Sequence, residues 1–470
     1  MRTGIPRPDR FDRRLLAPMM FGSVLNPINS SIIAVALVPI SAAFGAPSSQ
    51  TAWLVSALYL ATSIGQPLAG RLVDSFGPRR LFLIGAALTG LAGVVGVLAP
   101  SIGFLIAARV ILGFGTCAGY PAAMYLIRSE GKRTGVQSPA GVLTALSVAT
   151  QTIAVIGPTL GGLLIGAGGW RATFAVNIPL AIACLILGVI VLPKQAAPHA
   201  PSPAPLRIDI TGILFFAATL VSLLLFLMDM HLDRLWLLGI TVIAAGSFAF
   251  RELRATDPFI DVRVFAGNVP LLVTYARAVV TATVSYSFLY GVTQWLEDGR
   301  GLSATVTGLV LLPTFAAGIV VSILTGRRPQ IRAKLLVGAS AQLVACGLLF
   351  FAPADAAIWF LVAIALVFGI PQGLVNLAIQ NTLYHQADPA RIGASSGLLR
   401  TFMYLGAMLA SSASGAFYGS RPTTPGLHEL AVFMLIAAGI LLLITVYDRT
   451  LAKLVPPTAT AEDPEHPATR

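Results

Sequence analysis

Long apolar segments separated by short polar loops run through nearly the whole chain. About 20 apolar residues make one bilayer crossing, and a backbone in lipid must satisfy its own hydrogen bonds, so each segment is expected to be a helix. The segments are too long and too uniformly apolar for the strands of a membrane barrel. The pattern therefore predicts an all-α polytopic membrane protein with fourteen transmembrane helices, near residues 15–43, 51–72, 81–99, 102–127, 138–166, 172–192, 208–229, 233–250, 269–295, 304–326, 332–352, 357–380, 392–419 and 428–452.

The distribution of positive charge predicts the orientation of these helices. Most of the 31 Lys and Arg residues fall in the N-terminal segment and in every second loop after it. By the positive-inside rule this bias places both termini in the cytoplasm. Removing the two weakest segments, 208–229 and 233–250, leaves twelve helices with the same orientation.

A Pro/Ala-rich stretch without apolar periodicity, residues 193–207, is typical of a linker and here is predicted to be cytoplasmic. It ends an N-terminal six-helix bundle, residues 1–192. Residues 208–250 are predicted to form two accessory transmembrane helices, and residues 251–454 a C-terminal six-helix bundle. The polar, proline-containing residues 455–470 are predicted to be a disordered tail.

The composition agrees with a membrane protein and argues against several function classes. Of the 470 residues 56% are apolar and 11% charged, with a mean hydropathy of +0.83, whereas a soluble domain has about 25% charged residues. The net charge of +12 comes from scattered basic residues, so no nucleic-acid partner is expected. The three cysteines and five histidines are dispersed without metal-ligand or catalytic spacing. We therefore expect no metal, no cofactor and no enzymatic activity.

Residues 70–80 form a charged loop between two apolar segments, with an acid, three arginines and two glycines. Such a loop is typical of a backbone reversal at a membrane surface. The positive-inside rule alone can account for Arg79 and Arg80. It does not require an acid at the end of a transmembrane helix, which makes Asp74 the first functional candidate.

These residues resemble the major facilitator superfamily, and within it the fourteen-helix drug:proton antiporter branch. The loop looks like the family pattern G-x-L-x-D-x-x-G-R-K/R-R/K, with Pro78 where Arg is common. Arg109 lies in a stretch similar to the family's fourth-helix arginine motif, and residues 153–162 look like the antiporter motif G-x-x-x-G-P-x-x-G-G with its first glycine replaced. The matching positions are Gly70, Asp74, Gly77, Arg79 and Arg80 in the loop, and Gly157, Pro158, Gly161 and Gly162 in the fifth helix.

The resemblance implies two six-helix halves that close alternately around a midplane cavity, with two extra helices inserted after the linker. The loop of the second half, residues 325–334, is basic but has no acid, so the gate is expected to be asymmetric, with Asp74 as its latch. A proline deep in a span removes a helical hydrogen bond, and neighbouring glycines permit a bend. The fifth helix is therefore predicted to bend at Gly157 and Pro158.

One departure from the pattern of the drug:proton antiporter branch concerns the coupling of transport to protons. Asn29 stands where the branch often carries an aspartate in its first helix, and an asparagine cannot carry a proton. No Asp or Glu lies well inside a helix of either half. If transport is coupled to protons, the carrier is a boundary acid (Asp74, Glu297 or Asp298) or the substrate itself. Uncoupled transport stays open as the alternative.

The buried arginines and several polar side chains are candidates for the substrate cavity. An arginine inside a span is a functional candidate by default, and Arg109 is the strongest candidate of the three. Arg277 and Arg400 lie within snorkelling reach of the headgroups. Tyr286, Tyr290 and Gln294 share one helix face by their spacing. The proposed lining suits a neutral or amphipathic solute and comprises Asn26, Asn29, Gln66, Tyr286, Tyr290, Gln294 and Asn376.

The sequence thus predicts a secondary active transporter of the cytoplasmic membrane that exports small amphipathic compounds by alternating access and proton antiport. Its partners are expected to be the small-molecule substrate, protons and the lipid bilayer, and the chain is expected to act as a monomer. One alternative is an exporter or importer of one specific metabolite. Another, of a different class, is a membrane sensor or scaffold that does not transport.

Overall fold

A computed structural model gives the fold. It describes residues 11–46, 48–134, 140–194, 209–228, 232–256, 258–260, 268–302, 304–326, 328, 330–418 and 422–454, and these form helices and turns without a strand. The α-helices, numbered in chain order, are α1 (Leu16–Phe44), α2 (Ser48–Phe76), α3 (Pro78–Val97), α4 (Ile102–Thr116), α5 (Gly119–Thr134), α6 (Ala140–Ala175), α7 (Asn177–Ile190), α8 (Ile210–Met228), α9 (Leu235–Arg254), α10 (Val269–Gln294), α11 (Ala304–Thr325), α12 (Ile331–Phe350), α13 (Ile358–Gln386), α14 (Ile392–Tyr418) and α15 (Thr424–Tyr447).

Each predicted apolar segment coincides with helix, and the all-α class is confirmed. The fourth segment is built from two consecutive helices, α4 and α5. Within the described ranges, nine helices are long and apolar enough to cross a membrane, or ten if the two parts of α1 count as one bent span. Fourteen crossings therefore stay a prediction. The predicted linker beyond Lys194 and the predicted tail lie outside the described residues.

Two bundles meet along two seams. Helices α1–α7 pack together as the N-terminal half, and α10–α15 as the C-terminal half. The halves meet where α2 packs on α14 and where α6 packs on α11. Helices α8 and α9 pack on each other, and α8 also lies against both α2 and α14. The accessory pair thus borders the first seam.

The glycines of the fifth predicted span allow close packing of α6 on α1. A Cβ atom at Gly157 would collide with Ser31, and one at Gly161 would lie 2.5 Å from Cγ2 of Val35, whereas Gly162 faces open space. The torsion angles of α6 leave the helical region near its outer end, where Gly169 adopts a φ of +66° that favours glycine. The bend at Gly157 and Pro158 stays a prediction.

An ion pair fixes the inner end of the C-terminal half. Arg277 on α10 is fully buried, and its Nη2 donates to Oδ2 of Asp448, just after α15, at 2.6 Å. It therefore turns into the protein and not toward the headgroups. Burial alone raises the pKa of Asp448, but hydrogen bonds from Thr450 and Arg277 outweigh it and hold that pKa below its ordinary value.

Replacing Asp448 by alanine is expected to destabilise the protein by about 3–5 kcal/mol, because Arg277 is left buried without its counter-charge. Thermal unfolding in detergent, followed by tryptophan fluorescence, measures this as a lower midpoint. The double variant Arg277→Met/Asp448→Ala should recover most of the loss. Asp355→Asn, at an exposed acid, is the control and should stay within about 0.5 kcal/mol of wild type. A wild-type midpoint for Asp448→Ala would contradict the role of the pair.

Candidate functional site

Asp74 joins the two halves at the end that the charge pattern assigns to the cytoplasm. It lies in the last turn of α2, and its Oδ1 and Oδ2 accept hydrogen bonds from the backbone N–H groups of Gly393 (2.9 Å) and Ala394 (2.8 Å). These groups belong to the first turn of α14, where N–H donors have no partner within the helix and the helix dipole favours negative charge. A carboxylate of one half therefore caps a helix of the other.

Glycines make this contact possible. A Cβ atom at Gly393 would lie 2.6 Å from Oδ1 of Asp74 and 2.6 Å from the carbonyl oxygen of Gly70. A Cβ atom at Gly70 would collide with the backbone of Gly393. One turn further along α14, a Cβ atom at Gly397 would collide with the carbonyl of Gln66. The backbones of α2 and α14 thus touch along the inner part of the seam.

The other predicted loop residues stay within the N-terminal half. Gly77, with a φ of +84°, makes the turn between α2 and α3. Arg79 donates to the carbonyl oxygens of Gly188 (3.3 Å) and Val189 (3.0 Å), where a cation is favoured at the C-terminal end of α7. Arg80 is exposed. The positive-inside rule is enough to explain Arg80, whereas Arg79 also binds the C-terminal end of α7.

A second contact between the halves was not predicted. Arg128 on α5 donates from Nη1 to the carbonyl oxygen of Tyr384 (2.8 Å) and lies 4.9 Å from the centre of that tyrosine ring. Tyr384 is in the last turn of α13, so the guanidinium meets the negative end of that helix. The N-terminal half thus contacts both helix ends that flank the short turn 387–391. In the sequence Arg128 belongs to a basic loop cluster that topology alone explains.

The second seam is also closed in its inner part. Gln151 on α6 donates from Nε2 to Oγ of Ser322 on α11 (3.1 Å), and that hydroxyl donates to the carbonyl of Gly373 (3.2 Å). Closer to the inner end, a Cβ atom at Gly326 would collide with Thr144. Both seams are therefore in contact on the predicted cytoplasmic side.

Polar contacts continue along the first seam toward the middle of the protein. Thr401 on α14 donates to the carbonyl oxygen of Ser63 on α2 (2.9 Å). The hydroxyl of Tyr404 donates to Oδ1 of Asn26 (2.9 Å), and Nδ2 of Asn26 donates to Oγ1 of Thr116 (3.0 Å). The predicted cavity residue Asn26 therefore lies between the halves and is well hydrogen-bonded.

Four tyrosines from both halves form a cluster near Asn26, here called the tyrosine cluster: Tyr59, Tyr286, Tyr290 and Tyr404. The rings of Tyr286 and Tyr290 are 5.5 Å apart, and those of Tyr59 and Tyr404 are 5.6 Å apart. The hydroxyls of Tyr59 and Tyr290 are 3.4 Å apart. The spacing on α10 predicted two members, while Tyr59 and Tyr404 carried no periodic signal. Gln294, the third residue of that predicted face, is exposed.

Asn29 and Arg109 lie inside the N-terminal half. Nδ2 of Asn29 donates to Oδ1 of Asn177 on α7 (2.7 Å) and to the carbonyl of Leu25 (2.8 Å). Arg109 is buried, donates from Nε to the carbonyl of Leu54 (2.7 Å), and has no hydrogen-bond partner at Nη2. In this conformation Asn29 is directed toward α7 and not toward the C-terminal half.

A small cavity of about 10 Å³ lies between the halves, inward of the tyrosine cluster, which is about the space that one water molecule needs. The predicted residue Asn376 lines it and donates to Oε1 of Gln372 (3.0 Å). Arg400 also lines it, so this arginine points to the protein interior and not to the headgroups. Gln66 is buried nearby on the seam, and its Oε1 has no hydrogen-bond partner.

Comparisons with known proteins agree on one family. The family model described as Major Facilitator Superfamily matches residues 19–411. The uncharacterized MFS-type transporter YwoD of Bacillus subtilis is 33% identical over 448 residues, which cover 93% of this chain and 97% of that protein. The tetracenomycin C resistance and export protein of Streptomyces glaucescens is 26% identical over 423 residues, covering 86% of this chain and 76% of that protein.

A solved structure supports the fold independently. The human organic anion transporter MFSD10 matches with a TM-score of 0.65 at 15% identity, covering 92% of this chain and 100% of that chain. At this identity the likeness shows the fold alone.

Replacing Gly397 by alanine is expected to part the inner seam, because the new methyl group would collide with the backbone of Gln66. Overpacking of this kind costs about 1–3 kcal/mol, enough to raise the open population about tenfold. The reporter is Ser63→Cys in a chain with the three native cysteines replaced by alanine, labelled by a water-soluble maleimide in inside-out vesicles.

The labelling rate should rise about tenfold in Gly397→Ala. Gly347→Ala is the matched control, because a Cβ atom at that helical glycine meets nothing within 4 Å. Equal labelling rates in Gly397→Ala and in the parent would show that the seam tolerates the methyl group.

Proposed function

We propose, from the premise that this chain belongs to the Major Facilitator Superfamily and transports small molecules through a membrane, that it exports small amphipathic compounds by alternating access. The observation that carries this proposal is the contact of Asp74 with the N-terminus of α14, because it joins the two halves at the predicted cytoplasmic end. A relative named as a resistance and export protein supports the direction of transport. The proposal includes a monomer in the cytoplasmic membrane.

In this scheme Asp74 and Arg128 form the inner gate. Hydrogen bonds to a charged group contribute about 1.5–3 kcal/mol each, which is the scale of the free-energy differences between conformations of one protein. Both side chains contact helix ends, whose N–H and C=O groups water can satisfy once the halves separate. The gate can therefore open without leaving a buried charge unpaired.

The substrate is expected to bind between the tyrosine cluster and the polar side chains of Asn26, Gln66 and Asn376. Tyrosine rings offer broad apolar faces with a polar tip, which suits compounds that are themselves partly polar. Few convergent polar groups within apolar walls are typical of a site for a small organic molecule. Opening of the seams would let such a molecule enter.

We propose proton antiport as the coupling, with Asp74 as the carrier that we favour over Glu297 and Asp298. Protonation would remove the negative charge that the N-terminus of α14 stabilises, so the inner gate would open more readily. A second candidate is uncoupled transport of one specific metabolite. The observation that favours it is that both amide N–H groups of Asn29, the position where the branch carries an acid, are used inside the N-terminal half.

Asp74→Asn is expected to lose most of the export activity at an unchanged amount of protein in the membrane. An amide has one acceptor oxygen where the carboxylate has two, and its NH2 group would face an N–H donor. Ethidium accumulation in cells that lack their own efflux pumps measures the loss. Asp355→Asn, at an exposed acid outside the gate, is the control. Wild-type export in Asp74→Asn would remove the gating role.

Proteoliposomes with an imposed pH gradient test the coupling. With the cytoplasmic face outward, acidifying the lumen places the driving gradient in the antiport direction, and transport of dyes from the bath into the lumen should rise several-fold. Nigericin, which collapses the gradient, should abolish the rise. Uptake that is independent of the gradient would favour the uncoupled candidate.

A further inference from the structure

Arg400 is half-buried and lies between the two halves. It follows the start of α14 by two turns, about 12 Å at 1.5 Å per residue. Its guanidinium lies 4.0 Å from the centre of the Tyr120 ring on α5, in the opposite half. A positive charge at this depth is costly and marks a functional candidate.

Arg400 differs from the other two arginines inside spans. Arg277 has Asp448 as counter-ion, and Arg109 donates to backbone carbonyls. Arg400 makes neither an ion pair nor a hydrogen bond with any residue that the structure describes. Its described contact is the stack on Tyr120. That stack occupies the face of the guanidinium and leaves the N–H donors in its plane available.

The 10 Å³ cavity beside Arg400 contains further polar atoms without partners. The hydroxyl of Tyr120 is buried and has no hydrogen-bond partner, and Oε1 of Gln380 is also unpartnered. Asn376 also lines the cavity, but its amide nitrogen donates to Gln372. The remaining lining is apolar: Ala278, Ile379, Leu399 and Met403. Buried polar atoms are normally hydrogen-bonded, so unpartnered ones around a cavity indicate a place for a ligand group.

We propose that Arg400 and Tyr120 form an anion subsite that takes the carboxylate of an amphipathic organic acid. The guanidinium presents a planar fork of donors that matches a carboxylate, and the phenol adds a third donor. Tyr404 stands one helical turn outward on α14, so the apolar body of the acid lies against the tyrosine cluster. The subsite has walls from both halves and widens when they separate. This inference rests on the proposed function and narrows its substrate class.

Matched pairs of aryl acids and their primary amides test the subsite on the purified full-length chain in detergent. One such pair is 1-naphthylacetate and 1-naphthylacetamide, with binding measured by the shift of the thermal unfolding midpoint over a concentration series. Wild type should bind the acids about tenfold more tightly than the amides. Arg400→Gln should remove this difference, so that acids and amides bind equally tightly, and Arg400→Lys should keep part of it. Tyr120→Phe retains the ring under the guanidinium. Its affinity for the acids should fall several-fold, and its affinity for the amides should not fall.

Arg171→Gln is the matched control. Arg171 also stacks on an aromatic ring, that of Trp170 at 4.3 Å, but it is exposed near the C-terminal end of α6. This variant should keep the full preference for acids. Equal binding of acids and amides by wild type, binding of neither, or an undiminished acid preference in Arg400→Gln would each overturn the proposal. Failure of export shows separately, as absent transport of 1-naphthylacetate into proteoliposomes with the acid preference in binding intact.

Discussion

The contact between the halves on the predicted cytoplasmic side depends on how one helix end is capped. The first N–H groups of a helix have no partners of their own, and in α14 two of them are satisfied by a carboxylate from the other half of the molecule. The donors to Asp74 are backbone N–H groups. The contact therefore buries no second charged side chain together with Asp74. The contact needs glycine at Gly70 and Gly393, because any side chain there would hold the two helices apart.

The fold follows from the sequence more fully than the site does. In lipid each span must be a helix, so the apolar pattern alone fixes the element type and its approximate bounds. The partner of Asp74 lies 319 residues away, and no local pattern connects the two. Arg277 and Arg400 occupy similar depths in their helices, and only the packing distinguishes the arginine with a counter-ion from the one without. Tyr59 and Tyr404 were missed because their role depends on helices that meet in space.

Several arginines of the described residues differ in the kind of contact they make. Arg277 and Asp448 neutralise each other and hold one half together. Arg79 and Arg128 meet helix C-termini, the first within its own half and the second in the other half. Arg400 contacts the ring of Tyr120, and its N–H groups have no hydrogen-bond partner among the described residues. The ion pair and the contacts with helix ends lower the cost of burying these charges.

The short turn 387–391 carries a further consequence. It links two contacts with the N-terminal half, one at the end of α13 through Arg128 and one at the start of α14 through Asp74. While either contact holds, the short connection keeps the other pair of groups close together, at a high effective concentration, so a single broken contact re-forms quickly. The two contacts therefore behave as one bivalent attachment, which resists brief fluctuations and releases only when both are lost together. In the proposed scheme, such an attachment would make the inner gate switch between two states instead of loosening gradually.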